Sequence, residues 1–223
     1  MTVDFWKYFE EEAEPQLANR AISFRKIFEY LDTFETPITI VETGCLRQLG
    51  NFAGDGQSTL LFDKYVTARG DDSHVYTVDL DQAAVDACKS IVSSNVTVTC
   101  SDSVAYLNSV AQGFIDNDTQ ITLLYLDSYD VDWNYWFPSA AHHLKELAVA
   151  QRFINSDTLV VVDDCGLNTT ILTDDAGNIN MISNHTIVGG KGRLVAEFAG
   201  QIGILPVFAH YQVGWTGLGN KVD

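Results

Sequence analysis

The sequence predicts an α/β fold: a mostly parallel sheet of seven strands with helices on both faces and an antiparallel hairpin at its C-terminal end. Three observations predict it. Short β-branched runs alternate with segments whose apolar residues recur every three or four positions, the patterns of strands and helices in turn. Several of the runs are continuously apolar, as strands buried on both faces are. Polar and acidic residues collect just after each run, where strand gives way to helix.

The elements follow in chain order. Residues 1–36 read as a helical segment that packs on a domain spanning 37–223. Within it "FWKYFEEEAE" and "LANRAISFRKIFEYLDTF" carry helical spacing, and Pro15 marks the break between them. After Pro37, "ITIVETG" is a buried strand ending in a turn at Gly44. A Gly-rich loop, "GCLRQLGNFAGDGQST", leads into the helix "STLLFDKYVTAR", with Ser58 or Thr59 near its N-terminus. "HVYTVDLD", "NVTVTCSD", "ITLLYLDS" and "TLVVVDD" are the next four strands. The helices between them are "DQAAVDACKSIV", "SVAYLNSVAQGF" and "SAAHHLKELAVAQRFI". The polar stretch "LNTTILTDDAGNINMISNHTIVGG" is too long for an ordinary connection, so it is either a short hairpin or a lid, with "DDAGN" as a turn. A last helix, "KGRLVAEFAGQIG", precedes "ILPVFAH" and "YQVGWTG", which pair as the closing hairpin.

Composition narrows the function classes. A chain of 223 residues, 46% of them apolar, has enough material for one well-packed domain. Its 30 Asp and Glu against 13 Lys and Arg give a formal charge of −17. Such a chain repels phosphate backbones, so nucleic acid is not an expected partner. No run of about 18 uncharged apolar residues is present, so no membrane span is expected. The opening "MTVDFWKYFEEEAEPQ" lacks the basic start and apolar stretch of a signal peptide, and a cytoplasmic location is expected. Cys45, Cys88, Cys100 and Cys165 are scattered without a CxxC pair, which reads as reduced thiols rather than a zinc site or disulfides.

In an open α/β sheet, ligands bind beyond the carboxyl ends of the strands. The first strand ends in Glu42, Thr43 and Gly44, and the second in Asp79 and Asp81. The third ends in Ser101, Asp102 and Ser103, the fourth in Asp127 and Ser128, and the fifth in Asp163 and Asp164. Each end carries a carboxylate, and all five should line one cleft. The first loop has neither the GxGxxG spacing of a dinucleotide site nor the Gly-Lys-Ser/Thr of a Walker A loop. Its glycines allow close backbone approach, and Asp79 stands where a carboxylate accepts two ribose hydroxyls. A ribose acid facing a loop without a phosphate motif favours a nucleoside lacking a pyrophosphate, such as S-adenosylmethionine.

These residues resemble the class I S-adenosylmethionine-dependent methyltransferases, over roughly residues 38–217. "VETGC" resembles that family's glycine motif, "YTVDLD" its ribose-binding acid and "CSDSVAYL" the segment flanking the adenine. The resemblance implies a Rossmann-like class I methyltransferase fold, with Glu42, Thr43, Gly44, Ser58, Asp79, Asp102, Ser103 and Asp127 as donor contacts. Within the class, "LLYLDSYD", "VVVDDCG" and the tail "GKGRLVAEFAGQIGI" are most similar to the cation-dependent, macrocin-type sugar O-methyltransferases. That likeness implies Mg²⁺ held by Asp127, Asp163 and Asp164, and O-methylation of a small hydroxylated acceptor, a sugar or vicinal diol. Two segments depart from the family pattern: the first loop carries the extra "LRQLGNFAGD", and the stretch before the last helix is longer.

Hard carboxylate oxygens suit Mg²⁺, and a hydroxyl bound to the ion would lose its proton more readily. His142, His143 and, in the polar stretch, His185 are candidates for a general base. The aromatic cluster "DVDWNYWF" either walls the acceptor pocket or packs under the following helix. Lys191 and Arg193 read as a solvated helix start, with Lys191 alternatively touching an anionic substrate. The helical first 36 residues either cover the acceptor pocket or form a homodimer contact. Two other readings are an enzyme of the cephalosporin hydroxylase-like group and a non-catalytic nucleoside-binding module.

Overall fold

A computed structural model of the chain describes residues 3–168, 171–173, 176, 179–182 and 187–219. Five strands, β1 (Thr39–Thr43), β2 (His74–Asp79), β3 (Val96–Cys100), β4 (Ile121–Leu126) and β5 (Leu159–Val162), run parallel. Two short strands near the end of the chain, β10 (Phe208–Ala209) and β11 (Val213–Trp215), form an antiparallel hairpin. Through β11 this hairpin joins β5, again antiparallel. The seven strands lie in the order β10-β11-β5-β4-β1-β2-β3.

Burial explains the strand sequences. Every residue of β4 and β5 is buried, because these central strands are covered on both faces. The edge strand β3 instead alternates, with Val96 and Val98 buried and Thr97 exposed. Val160 and Val162 pack on one side of the sheet, and Leu159 and Val161 on the other, as the period-two geometry of a strand requires.

Six helices follow the strand pattern: α3 (Phe52–Asp55), α4 (Ser58–Arg69), α5 (Gln82–Lys89), α6 (Ser103–Asp116), α7 (Phe137–Ala150) and α8 (Arg193–Gln201). Asp81 caps α5 by accepting from the Ala83 amide at 2.8 Å, and Asp102 caps α6 by accepting from the Ala105 amide at 2.9 Å. Two of the strand-end acids therefore also perform local work at helix starts.

The N-terminal segment contains α1 (Val3–Tyr8), a π-helical turn at Phe9–Ala13, and 3₁₀ turns at Glu14–Gln16 and Ala18–Arg20. It ends in α2 (Ala21–Leu31). Pro15 sits in the first 3₁₀ turn, where the helix gives way. Phe5, Phe9, Phe24 and Phe28 from this segment share one core with Phe62, Tyr65 and Tyr125. Ring centroids there lie 4.5 Å apart for Phe5–Phe28, 5.2 Å for Phe28–Tyr65 and 5.3 Å for Phe62–Tyr125.

Within the polar stretch, β7 (Ile171–Thr173) pairs antiparallel with β8 (Ile179–Ile182). Outside that hairpin, β6 (Leu167–Asn168) pairs with β9 (Ile187–Val188). The stretch is thus hairpin-forming, as one of its two sequence readings has it. The expected base candidate His185 and most of the "DDAGN" turn lie outside the described residues. No helix among the described residues is long and apolar enough to cross a membrane.

Candidate functional site

The strand order reverses at β1, which pairs with β2 on one side and β4 on the other. In an α/β sheet this switch point opens a crevice beyond the strand ends. Gly44 turns the chain there with φ +85°, and a Cβ on it would come within 2.5 Å of the Asp127 carbonyl oxygen. Only glycine allows the first loop to leave β1 so close to the end of β4.

Two cavities occupy this edge. The larger, about 440 Å³, is lined by Gly44, Ser58, Asp79, Asp81 and Asp127 among others. The smaller, about 200 Å³, is lined by Asp79, Asp102, Ser103, Tyr129 and His142 among others. Asp79, Leu80 and Ser128 line both. Asp79 is held by the Cys45 amide at 3.1 Å and the Asp81 amide at 2.8 Å, so its position is set by the two loops that meet there.

Six of the expected donor contacts, Gly44, Ser58, Asp79, Asp102, Ser103 and Asp127, line one or both cavities. Glu42 and Thr43 line neither cavity, and both are fully buried. Thr43 Oγ1 accepts from the Asp127 amide at 3.3 Å. Glu42 Oε2 accepts from the Thr59 hydroxyl at 2.7 Å. Burial pushes the Glu42 carboxyl up to about 7, against the pull of the Ser58, Thr59 and Thr77 hydroxyls.

The two histidines separate. His143 is fully buried, with Nδ1 2.7 Å from the Ser139 carbonyl oxygen, which requires the proton on Nδ1. Burial holds it down to about 4, and it lines neither cavity, unlike the other base candidate His142. His142 lines the smaller cavity. Its Nε2 lies 2.9 Å from Ser103 Oγ and 3.4 Å from Glu146 Oε1, while Ser128 donates to Glu146 at 2.6 Å. Serine and carboxylate meet the same ring nitrogen, so this is a brace for the cavity wall rather than a relay of the Ser-His-Asp kind.

Asp127, Asp163 and Asp164 converge, with one carboxylate oxygen from each lying within 4.8 Å of the others. Two basic residues stand among them: Arg20, which the sequence did not single out, and Lys191, expected at a solvated helix start or against an anionic substrate. Arg20 donates from Nε to Asp163 at 2.8 and 3.1 Å, and from Nη2 to Asp164 at 2.8 Å. Its Nη1 donates to the Ala53 carbonyl in the first loop at 3.2 Å, and its guanidinium lies 4.8 Å from the Tyr211 ring centroid. Lys191 donates to Asp127 Oδ1 and lies 3.0 Å from Asp164 Oδ2. With 1% exposure, Lys191 is not the solvated residue its place at a helix start suggested.

The electrostatics follow from this packing. Burial and the two neighbouring carboxylates push the Asp127 carboxyl upward, and the Lys191 ammonium opposes them. Burial acts against ionisation of Asp164 as well, but Lys191, Tyr211 and Arg20 together hold it below the ordinary carboxylate range. Lys191 is raised above the ordinary lysine range: burial opposes its charge, and Asp127, Asp164 and Asp163 outweigh burial.

Oxygen donors are the right chemistry for Mg²⁺, but the arrangement does not fit a resident ion. Both Asp163 oxygens already accept from Arg20. The facing oxygens of Asp127 and Asp164 already hold the Lys191 ammonium.

Around the cluster, Trp133 is half exposed and its ring centroid lies 6.3 Å from that of Tyr211. Tyr129, Tyr135 and Phe137 are also largely exposed, and of these Tyr129 lines the smaller cavity. Arg47 joins Asp55 at 3.1 Å to Asp130 at 3.1 Å, tying the long first loop to the segment after β4. Cys45, Cys88 and Cys165 are buried free thiols and Cys100 is exposed. Burial pushes the Cys165 thiol up, and contact with Cys88 together with burial does the same at Cys45, so neither is poised as a nucleophile.

No family model matches the chain, and no curated protein matches it in sequence. Solved structures do resemble it. A DhpI–SAH complex is 10% identical, with 97% of this chain and 94% of that one covered at a TM-score of 0.47. DesVI of Streptomyces venezuelae is 9% identical, with 97% of each chain covered at a TM-score of 0.47. A TehB-like SAM-dependent methyltransferase of Corynebacterium glutamicum is 15% identical, with 90% of this chain and 97% of that one covered at a TM-score of 0.41.

Proposed function

We propose that the chain is an S-adenosylmethionine-dependent methyltransferase that methylates an oxygen of a small hydroxylated molecule, such as a sugar or vicinal diol. The observation that carries this reading is the pair of cavities meeting at Asp79. A nucleoside fits with its ribose hydroxyls on the Asp79 carboxylate and its base beside Asp102 and Ser103. The aminoacyl part then lies toward Gly44 and Ser58, where no phosphate cradle is built. Asp79, Asp81 and Asp127 line the larger cavity, and their negative charge favours a sulfonium centre over a neutral analogue.

In this arrangement the acceptor enters on the Trp133 and Tyr211 side, next to Asp127. Its hydroxyl oxygen attacks the donor methyl carbon in line with the carbon–sulfur bond. That bond breaks with its electron pair going to sulfur, which becomes a neutral thioether, and the hydroxyl proton passes to the Asp127 carboxylate. The protein supplies alignment and charge, and the donor carries the reactive group.

Titration calorimetry with S-adenosylmethionine tests the reading. The wild type should bind one equivalent, and Asp79→Ala should weaken binding by roughly 10- to 100-fold, the loss of one charge-assisted hydrogen bond. A wild type that binds neither S-adenosylmethionine nor its demethylated product overturns the proposal.

A further inference from the structure

We propose that Lys191 is the resident cation of the Asp127–Asp163–Asp164 cluster, and that the cluster takes up no divalent metal ion while Lys191 is in place. The backbone is built to deliver this side chain. Gly190 has φ +52°, and a Cβ on it would lie 2.0 Å from the Asp164 carbonyl oxygen. A Cβ on Gly192 would lie 2.4 Å from Cys165 Sγ. The Lys191 amide donates to that same Asp164 carbonyl at 3.2 Å. Glycine on both sides therefore lets the turn press against the end of β5, and the Lys191 side chain is buried in the cluster. There its ammonium holds one oxygen of Asp127 and one of Asp164.

Charge leads to the same conclusion. Three carboxyl groups face two cations, Arg20 and Lys191, so the cluster's formal charge is already mostly offset. A Mg²⁺ ion needs oxygen ligands at about 2.0–2.1 Å in near-octahedral array. Admitting it would mean expelling a buried ammonium whose turn is locked on either side. Removing the ammonium alone leaves three carboxylates against Arg20, with a vacated space between Asp127 and Asp164. That is a hard-oxygen site of the kind a small divalent ion takes.

Equilibrium dialysis and electron paramagnetic resonance with Mn²⁺, a spectroscopic substitute for Mg²⁺, separate the possibilities without any donor or acceptor present. The wild type should leave the Mn²⁺ signal that of the free ion at millimolar metal. Folded Lys191→Ala, checked by circular dichroism, should bind one equivalent, and Lys191→Ala with Asp164→Asn should lose it. Stoichiometric binding by the wild type overturns the proposal, and that measurement stands even where the variant does not fold. A folded Lys191→Ala that binds no Mn²⁺ overturns the claim that the lysine stands in the ion's place. Because no methyl donor is used, the outcome is independent of the proposed methyltransferase reaction.

Discussion

Glu42 is a carboxyl enclosed at the end of β1, and His143 is an imidazole enclosed in α7. Their burial has opposite consequences for stability. The Glu42 carboxyl is raised from 4.5 to about 7, so the folded state holds its proton longer than the unfolded chain. Its contribution is fully present below about pH 4.5 and is lost as the pH rises toward about 7. His143 is lowered from 6.5 to about 4, so its contribution is present above about pH 6.5 and is lost as the pH falls toward about 4. The two slopes oppose each other over most of one window. Glu42→Gln removes one of them and retains an acceptor for Thr59. It should stabilise the protein near pH 8 by at most roughly 3 kcal/mol. It should also steepen the fall in Tm between about pH 6.5 and pH 4.5 relative to the wild type. Thermal melts across that range check it, and parallel profiles for the two proteins would show that Glu42 is ionised in both states.

Among the elements, the turn from β9 into α8 is closely confined. Gly190→Ala puts a methyl group against the Asp164 carbonyl and forces alanine into the left-handed region. The expected cost is on the order of 2–4 kcal/mol. It should appear as a fall in Tm by thermal denaturation, whereas Gly200→Ala, on an open face of α8, should change Tm little or raise it. The sites of Gly44 and Gly190 share a logic: each is a loop pressed against the carbonyl end of a neighbouring strand. These two close approaches bring the first loop and the Lys191 turn to the ends of β4 and β5, and so shape the cleft.

Across the whole molecule, residues 3–31 build one side of the core and also reach the site. Phe9 is fully buried, 5.8 Å from Phe5 and 5.3 Å from Phe28 between ring centroids. Phe9→Ala should cost roughly 3–5 kcal/mol, read from urea denaturation, with the transition still a single cooperative step. If Phe9→Ala leaves the midpoint unchanged, the segment is an appendage rather than part of the core. Arg20 gives the segment its second role. It follows the buried positions of α2 at the spacing Arg20, Phe24, Ile27, Phe28, so a charge sits on the apolar stripe and meets Asp163 inside.

The strand and helix order, the edge at which the acids gather and the convergence of Asp127 with Asp163 and Asp164 were legible from the sequence alone. Each rests on local periodicity or on a strand's C-terminal end, and parallel β4 and β5 are neighbours that carry those ends side by side. A charged residue on an apolar stripe at Arg20, and glycines flanking the lysine at 190–192, are the sequence signals of these two cations. What neutralises the acids was decided only by tertiary structure, because Arg20 is 143 residues from Asp163 and Lys191 is 64 from Asp127. Repulsion between adjacent carboxylates is a local fact, visible in "VVVDDCG". The identity of the opposing cation depends on which distant backbone packs close enough to exclude water. Here two side chains of the chain itself fill that place.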